Sequence, residues 1–239
     1  METILKSFSL NDIQFSLELW PEEVFVPTTV SDIMAKNIGT LPEKAVVIDM
    51  GCGSGILSVL AAKMGASKIY AVDVMPKAVE LTKRNAERNG VADRVEASCG
   101  PLFEPLKEIK ADLILIDVSG IAAKLARHTP WYPAAIATAS EDGSEPTVSA
   151  LKQGRDHLRP GGRLIFPFGS LANEKKIMEV AREIFNNNLR SLSEKLLPIN
   201  QQLKAAFDQC QDLIEKGFVS LVERRGKLYW LLHVYEASI

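Results

Sequence analysis

The chain has 239 residues, 46% hydrophobic and 24% charged, a balance typical of globular proteins that rules out low-complexity and collagen-like chains. Its formal net charge of -2 provides no global positive field of the kind that attracts nucleic acid. With 3 widely spaced cysteines and no apolar run near the roughly 18 residues of a membrane span, the composition predicts a cytoplasmic protein with no disulfide framework, metal site or membrane contact.

Residues 1–40 form the first predicted unit, extended pieces followed by a short helix. The helix "SDIMAKNIG" is predicted to begin at an N-cap, Ser31, and to stop at Gly39. We expect these strands and this helix to cover a ligand site that is built by the second unit, residues 41–239.

In the second unit, apolar strands alternate with amphipathic helices. The predicted strands are "AVVIDMG", "KIYAVDVM", "DRVEAS", "ADLILIDVSG" and "GGRLIFPFG". The tail adds a helix, "QLKAAFDQCQDLIEKG", which either covers the substrate or packs on the core, and a hairpin that turns at "RRGK". This order predicts an α/β, Rossmann-like doubly wound fold, with a mainly parallel seven-stranded sheet and an antiparallel C-terminal hairpin.

The turn after the first buried strand, in "VVIDMGCGSGILSVL", is the candidate ligand site, because open α/β sheets bind ligands beyond the carboxyl ends of their strands. A dinucleotide turn has the pattern G-x-G-x-x-G, whereas Gly51, Gly53 and Gly55 give G-x-G-x-G. Asp49 precedes the turn, where a carboxylate would repel a pyrophosphate and attract a cation. The pattern therefore favours S-adenosylmethionine, with its sulfonium and ammonium groups, over NAD.

Asp73 ends the second strand, where a carboxylate accepts hydrogen bonds from the ribose hydroxyls of either nucleotide. Two acids in their expected positions argue against the alternative, a tight structural turn without a ligand.

These residues resemble the class I S-adenosylmethionine-dependent methyltransferases over about residues 35–180. The resemblance implies that the three glycines line the methionine part of the cofactor, that Asp49 lies near its amino group and that Asp73 holds the ribose. The full set of cofactor-binding residues that it implies is Pro27, Asp49, Gly51, Cys52, Gly53, Gly55, Asp73, Val74, Met75, Ser98, Cys99 and Asp117.

A narrower resemblance is to the small-domain branch that includes the release-factor glutamine methyltransferases, through "EVFVPTTVSDIM" and "EDGSEPTVSALKQGRDHLRPGG". That branch carries Asn-Pro-Pro-Tyr after the fourth strand to grip a planar nitrogen. This chain has the segment 117–120, Asp-Val-Ser-Gly, at that place. Amide or adenine methylation is therefore not implied.

The predicted acceptor side follows the fourth strand. Asp117 and His128 are the candidate catalytic residues, as groups that orient or deprotonate the acceptor. The candidate substrate-binding residues are Ser119, Arg127, Trp131 and Tyr132. For each of these residues, turn capping or loop packing is the competing interpretation.

The sequence thus predicts a methyltransferase that acts on a nitrogen or oxygen rather than a carbon, with a small molecule as the favoured substrate. A protein side chain or RNA is the alternative, although the weak net charge argues against nucleic acid. A non-catalytic subunit with a cofactor fold is the alternative of another class. The oligomeric state is left open.

Overall fold

The computed structural model describes residues 3–129, 132 and 140–239. The predicted substrate-binding residue Trp131 lies outside the described residues. The strands are β1 (Ile4–Leu10), β2 (Ile13–Leu19), β3 (Val46–Met50), β4 (Lys68–Asp73), β5 (Val95–Cys99), β6 (Ala111–Ile116), β7 (Leu158–Gly169), β8 (Leu189–Pro198), β9 (Val222–Arg224) and β10 (Lys227–Ser238). The helices are α1 (Thr29–Lys36), α2 (Ile56–Lys63), α3 (Pro76–Arg88), α4 (Ala123–Arg127), α5 (Glu145–Asp156), α6 (Glu174–Ile184), α7 (Gln201–Asp208) and α8 (Gln211–Glu215).

The main sheet confirms the predicted fold class. Its strands follow the order β5-β4-β3-β6-β7-β10-β8, and the short β9 pairs with β10 beside this path. The five strands from β5 to β7 are parallel, whereas β10 runs antiparallel to both β7 and β8. The strand order reverses between β3 and β6, so the carboxyl ends of these two strands form the crevice in which open α/β sheets bind ligands.

Apolar side chains cover both faces of the parallel strands, as their continuous hydrophobic runs predict. On one face, β3 and β6 pack with α1 and α2, and on the other face with α5 and α6. Along β6, Leu113 and Leu115 belong to the first layer, and Ile114 and Ile116 to the second. This alternation follows from the two-residue period of a strand and places the end of β6 at the crevice.

The N-terminal hairpin of β1 and β2 is a separate two-stranded sheet that packs against the main domain. Its apolar side chains, including Phe15 and Leu17, join the core layer formed by α1 and α2. Asn85 on α3 ties the hairpin to the glycine turn, because its Nδ2 donates to the carbonyl oxygens of both Glu18 and Ser54, each at 2.9 Å. The boundary between two units at residue 40 stays a prediction.

Three local features differ from the sequence prediction. The N-cap of α1 is Thr28, whose side chain accepts from the Val30 amide, so Ser31 lies inside the helix. The predicted helix in the tail is two helices, α7 and α8, separated at Cys210. The terminal hairpin does turn where predicted, but β9 is only 3 residues long and the long antiparallel partner of β10 is β8.

Helices α7 and α8 pack onto the rest of the molecule through a buried apolar cluster, and a role in covering the substrate stays a prediction. Leu203, Phe207 and Leu213 are buried in a cluster with α4 and Tyr132. No helix within the described ranges is long and apolar enough to cross a membrane.

Candidate active site

The glycine turn after β3 requires glycine for reasons of backbone geometry. Gly51, Gly53 and Gly55 have φ values of 83°, 52° and 80°, in the left-handed region that other residues rarely adopt. A Cβ on Gly51 would lie 2.5 Å from the carbonyl oxygen of Asp117, and one on Gly55 would lie 3.1 Å from the side chain of Thr82. The turn therefore packs directly against the segment that follows β6.

A Gly51→Ala substitution tests this packing. We expect it to lower the free energy of unfolding by about 2 to 5 kcal/mol, since it combines left-handed backbone strain with overpacking against the β6 loop. Gly90→Ala is the matched control, because Gly90 also has a positive φ, of 66°, but a Cβ there would meet nothing within 4 Å. Urea denaturation of both variants measures the difference, and equal losses would contradict the close approach.

Asp49, at the carboxyl end of β3, is a completely buried carboxylate with an unused oxygen. Ser58 Oγ donates to its Oδ2 at 2.5 Å, whereas Oδ1 has no hydrogen-bond partner in the described part of the chain. Burial raises the pKa of Asp49 to about 7, and the nearby carboxylates of Asp117 and Asp73 contribute to the rise. A site that holds a carboxylate in this state gains from a positively charged ligand.

Asp73, at the carboxyl end of β4, holds the other side of the turn. Its Oδ2 accepts from the Gly53 amide at 3.0 Å and its Oδ1 from the Met75 amide at 2.9 Å. Burial raises the pKa of Asp73, and these two backbone donors oppose the rise. A carboxylate has about four acceptor positions, so lone pairs remain on both oxygens for a vicinal diol.

Other predicted cofactor-binding residues lie near Asp73. Val74 is an exposed apolar side chain, 62% accessible, while Met75 packs against α3 and Trp20. The Cys99 thiol, at the end of β5, donates to the Val74 carbonyl oxygen at 3.5 Å, and Ser98 is half-buried beside it. The Cys52 thiol is buried and accepts a hydrogen bond from Thr82 Oγ1 at 3.3 Å. It therefore lies on the side of the turn that packs against α3.

Asp117 follows β6 and faces the same crevice. Its backbone amide donates to the Met50 carbonyl oxygen at 2.9 Å, and its Oδ2 accepts from Ser31 Oγ at 2.9 Å. Burial raises the pKa of Asp117 to about 6, and the Ser31 hydrogen bond opposes the rise. Asp117 is thus a partly buried carboxylate whose pKa lies closer to neutral pH than that of a free aspartate.

Ser119 and Tyr132 meet at this edge, and their role in binding a substrate stays a prediction. The Ser119 and Tyr132 hydroxyl oxygens lie 2.9 Å apart, and the Tyr132 ring packs edge-on against Phe25 at a centroid distance of 5.1 Å. Burial raises the pKa of the Tyr132 phenol. Phe25 belongs to the loop that also contains Pro27, so this loop borders both the turn and the acceptor side.

Arg127 and His128, at the end of α4, have exposed side chains. Within the ranges that the structure describes, neither side chain forms a hydrogen bond or ion pair with Asp117 or Ser119. A catalytic role for His128 and a substrate-binding role for Arg127 therefore stay predictions without a supporting contact. No group of three metal-ligating side chains occurs among the described residues.

Sequence reasoning missed the polar residues that hold the turn and the two acids. Ser31 donates to Asp117 and Ser58 to Asp49, and Thr82 Oγ1 also donates to the Gly53 carbonyl oxygen at 3.1 Å. Thr82 and Asn85 are fully buried, three residues apart on α3. The sequence did contain a signal for such residues, because polar side chains on the apolar face of a predicted helix must find hydrogen-bond partners inside the protein.

Comparison with known proteins points to one fold family. The family model "Ribosomal protein L11 methyltransferase (PrmA)" matches residues 27–134, a little under half of the chain. The crystal structure of a ribosomal protein L11 methylase from Lactobacillus delbrueckii subsp. bulgaricus superposes with a TM-score of 0.57 at 19% identity, covering 92% of this chain and 83% of that one. The fold is that of the class I S-adenosylmethionine-dependent methyltransferases. The resemblance inferred from the sequence is confirmed, and its narrower branch stays a prediction.

Other relatives with this methyltransferase fold act on macromolecules. The ribosomal protein L11 methyltransferase of Escherichia coli (strain 55989 / EAEC) is 47% identical over 72 residues, which are 30% of this chain and only 24% of that protein. The 16S rRNA N2 G1207 methyltransferase of T. thermophilus, solved with AdoMet and guanosine, has a TM-score of 0.62 at 15% identity and covers 99% of this chain and 50% of that one.

These relatives correct the predicted partners. A small molecule as the favoured substrate, with nucleic acid unlikely, is wrong, because the relatives are named for a ribosomal protein and for ribosomal RNA. The prediction relied on net charge, which sums the whole surface, whereas contacts to a macromolecule depend on local charge. The missing Asn-Pro-Pro-Tyr segment removes one way to grip a planar nitrogen and leaves the size of the substrate open.

Proposed function

We propose that this chain is an S-adenosylmethionine-dependent methyltransferase that methylates an amine nitrogen of a protein. The observation that carries the proposal is the set of three carboxylates, Asp49, Asp73 and Asp117, around a turn that has no room for a Cβ at Gly51. The orphaned Asp49 oxygen and the glycine cradle fit a cationic nucleoside ligand. Bound there, the cofactor would supply a methyl group activated by a sulfonium.

Each acid would have a separate task. Asp49 would pair with the positive charge of the donor, and Asp73 would accept hydrogen bonds from the ribose hydroxyls. Asp117 would orient an ammonium group of the acceptor and take its proton, so that the free amine attacks as the new nitrogen–carbon bond forms and the sulfur–carbon bond breaks. Alignment of the reacting atoms would supply about 7 to 11 kcal/mol of the lowered barrier.

A protein acceptor is supported by the extent of the family match. The matched residues, 27–134, include the glycine turn and also the segment after β6 that borders the acceptor. The Asp117 carboxylate and the mutually hydrogen-bonded hydroxyls of Ser119, two residues further on, and Tyr132 offer oxygen acceptors, which suit the three N–H donors of an ammonium group.

RNA is the second candidate, and the turn between β9 and β10 favours it. Leu232 pairs with Gly169 at the end of β7, so the residues of β10 before Leu232 extend beyond the carboxyl edge, where the cofactor site lies. The turn exposes Arg224, Arg225 and Lys227, and none of them forms an ion pair with any described residue. These three side chains, on the carboxyl side of the sheet and without an ion-pair partner in the described residues, provide contacts for phosphates.

One labelling experiment tests both candidates. The purified chain is incubated with S-adenosylmethionine labelled in its methyl group, together with RNA-free ribosomal proteins, deproteinised ribosomal RNA or intact bacterial ribosomes. We expect label on protein amines, located by peptide mass spectrometry. Label in RNA alone would establish the second candidate instead, and cofactor binding without label in any fraction would refute both.

Charge reversal of the turn separates the two candidates further. If RNA is bound there, Arg224→Glu, Arg225→Glu and Lys227→Glu together should raise KM for RNA about tenfold or more and reduce its salt dependence. The control carries Lys44→Glu, Lys152→Glu and Arg155→Glu, an equal change in charge at exposed positions near the opposite edge of the sheet. Equal effects of the two triple variants would exclude a local role for the turn.

A further inference from the structure

Ser31 makes the contact that joins the N-terminal helix to the candidate catalytic acid. It lies in the first turn of α1, and because Thr28 caps that helix, the Ser31 hydroxyl is not needed there. The Ser31 side chain is 7% exposed, and its Oγ donates to Asp117 Oδ2 at 2.9 Å across 86 residues of sequence.

This contact leaves the two oxygens of Asp117 in different situations. Oδ2 is occupied by Ser31, whereas Oδ1 has no hydrogen-bond partner among the residues that the structure describes. The backbone of Asp117 is held by the hydrogen bond that its amide donates to the Met50 carbonyl oxygen, so the remaining freedom is rotation of the side chain. The hydrogen bond from the Ser31 hydroxyl restricts that rotation and leaves Oδ1 available to another donor.

No basic side chain within the described ranges stabilises the ionised form of Asp117, so the hydrogen bond from Ser31 has this effect. No lysine, arginine or histidine of the described chain forms an ion pair with Asp117, and Asp49 on β3 is the ionisable group whose charge acts together with it. Asp73 acts in turn on Asp49. The Ser31 hydroxyl is therefore the hydrogen-bond donor that favours the ionised form of Asp117 in these surroundings.

We propose that Ser31 is a positioning residue that orients Asp117 to accept the proton of the methyl acceptor. The inference rests on the proposed methyl transfer. It also makes the N-terminal unit part of the reaction rather than only a cover, because Ser31 contributes from α1 to a group at the end of β6. The chain provides a matched comparison, since Ser58 donates in the same way to Asp49, on the cofactor side.

The experiment compares Ser31→Ala with Ser31→Thr and Ser58→Ala, after thermal denaturation has shown that each variant folds. Ser31→Ala should lower kcat about tenfold to a hundredfold, the effect of a misplaced catalytic group, with little change in Kd for S-adenosylmethionine. The acidic limb of its kcat–pH profile should move to higher pH, and Ser31→Thr should restore both properties. Ser58→Ala should show the opposite pattern, with weaker cofactor binding.

A second readout does not need turnover. In protein labelled with carbon-13 at its aspartate carboxyl groups, the NMR titration of Asp117 should move to higher pH in Ser31→Ala and stay in place in Ser31→Thr. An unchanged titration together with an unchanged kcat–pH profile would overturn the inference. If no acceptor is ever methylated, the titration still decides whether Ser31 controls Asp117, so the two failures are distinguishable.

Discussion

Asp117→Asn is expected to lower kcat by about a hundredfold to ten-thousandfold, the range for loss of a positioned general base. Asparagine keeps the shape of the side chain and an oxygen that accepts from Ser31 Oγ, so the change removes charge and basicity only. Binding of S-adenosylmethionine should change by no more than a few-fold. Single-turnover methyl transfer and calorimetry measure the two quantities separately.

The matched control for this variant lies on β6, the strand that Asp117 follows. Asp112, near the start of β6, accepts from the Val46 amide at 2.7 Å and pairs with Arg159 at 2.8 Å, at the opposite edge of the sheet. Asp112→Asn should lower stability and leave kcat unchanged. The role of Asp117 would be contradicted if its asparagine variant kept the wild-type kcat with cofactor and acceptor saturating.

The pH dependence gives a second test of the same group. The pKa of Asp117 is raised to about 6, and only the ionised carboxylate accepts a proton, so kcat at saturating cofactor should fall about tenfold per unit below that pH. Asp117→Asn should remove this limb of the profile.

Asp49→Asn is expected to weaken binding of S-adenosylmethionine about tenfold to a hundredfold, the value of a hydrogen bond to a charged group. In the ligand-free protein the pKa of Asp49 is raised to about 7. A cationic ligand binds the ionised form, so binding below that pH must release a proton. Affinity should therefore decrease as the pH falls below about 7, and the variant should lose this dependence.

The ionisation of Asp49 favours cofactor binding but lowers the stability of the ligand-free protein. A carboxyl pKa that folding raises from 3.8 to about 7 means that the folded state binds the proton more tightly than the unfolded state. The contribution of Asp49 to the unfolding free energy of the ligand-free protein is therefore greatest below pH 3.8 and decreases as the pH rises to about 7. Asp49→Asn should raise Tm by a few degrees above neutral pH while it weakens cofactor binding.

Calorimetry and thermal denaturation between about pH 5 and pH 8 measure both effects on Asp49. NAD is the control ligand, since the buried carboxylate should repel its pyrophosphate. Tight binding of NAD, or an affinity for S-adenosylmethionine that does not change with pH, would contradict the assignment of Asp49 to a cationic donor.

Much of the cofactor half of the site could be predicted from the sequence, because it lies within one strand–turn–helix unit. Gly51, Gly53 and Gly55 must adopt backbone angles that other residues avoid, and Asp49 and Asp73 sit at the ends of strands with unbroken apolar runs. Such local requirements produce a recognisable pattern in the amino-acid sequence. The same is true of the parallel core, whose strands are apolar on both faces.

The part of the site after β6, where the methyl acceptor is proposed to bind, is formed by contacts between residues far apart in the chain and could not be predicted from the sequence. Ser31 was predicted as a helix cap and proved to be the donor to Asp117, and Phe25 proved to pack on Tyr132. Neither pair has a spacing that a sequence pattern could reveal, since α1 and the segment after β6 meet only when the sheet is assembled. The pairing of β10 with β8 was hidden for the same reason.

The amino-acid sequence by itself determined the strand–helix alternation, the glycine turn and the acids at the strand ends, because each follows from the backbone and side-chain preferences of neighbouring residues. Only the tertiary structure decided which hydroxyls donate hydrogen bonds to those acids and how far burial raises their pKa values. Burial and the approach of distant charges set these properties, and both exist only in the folded chain.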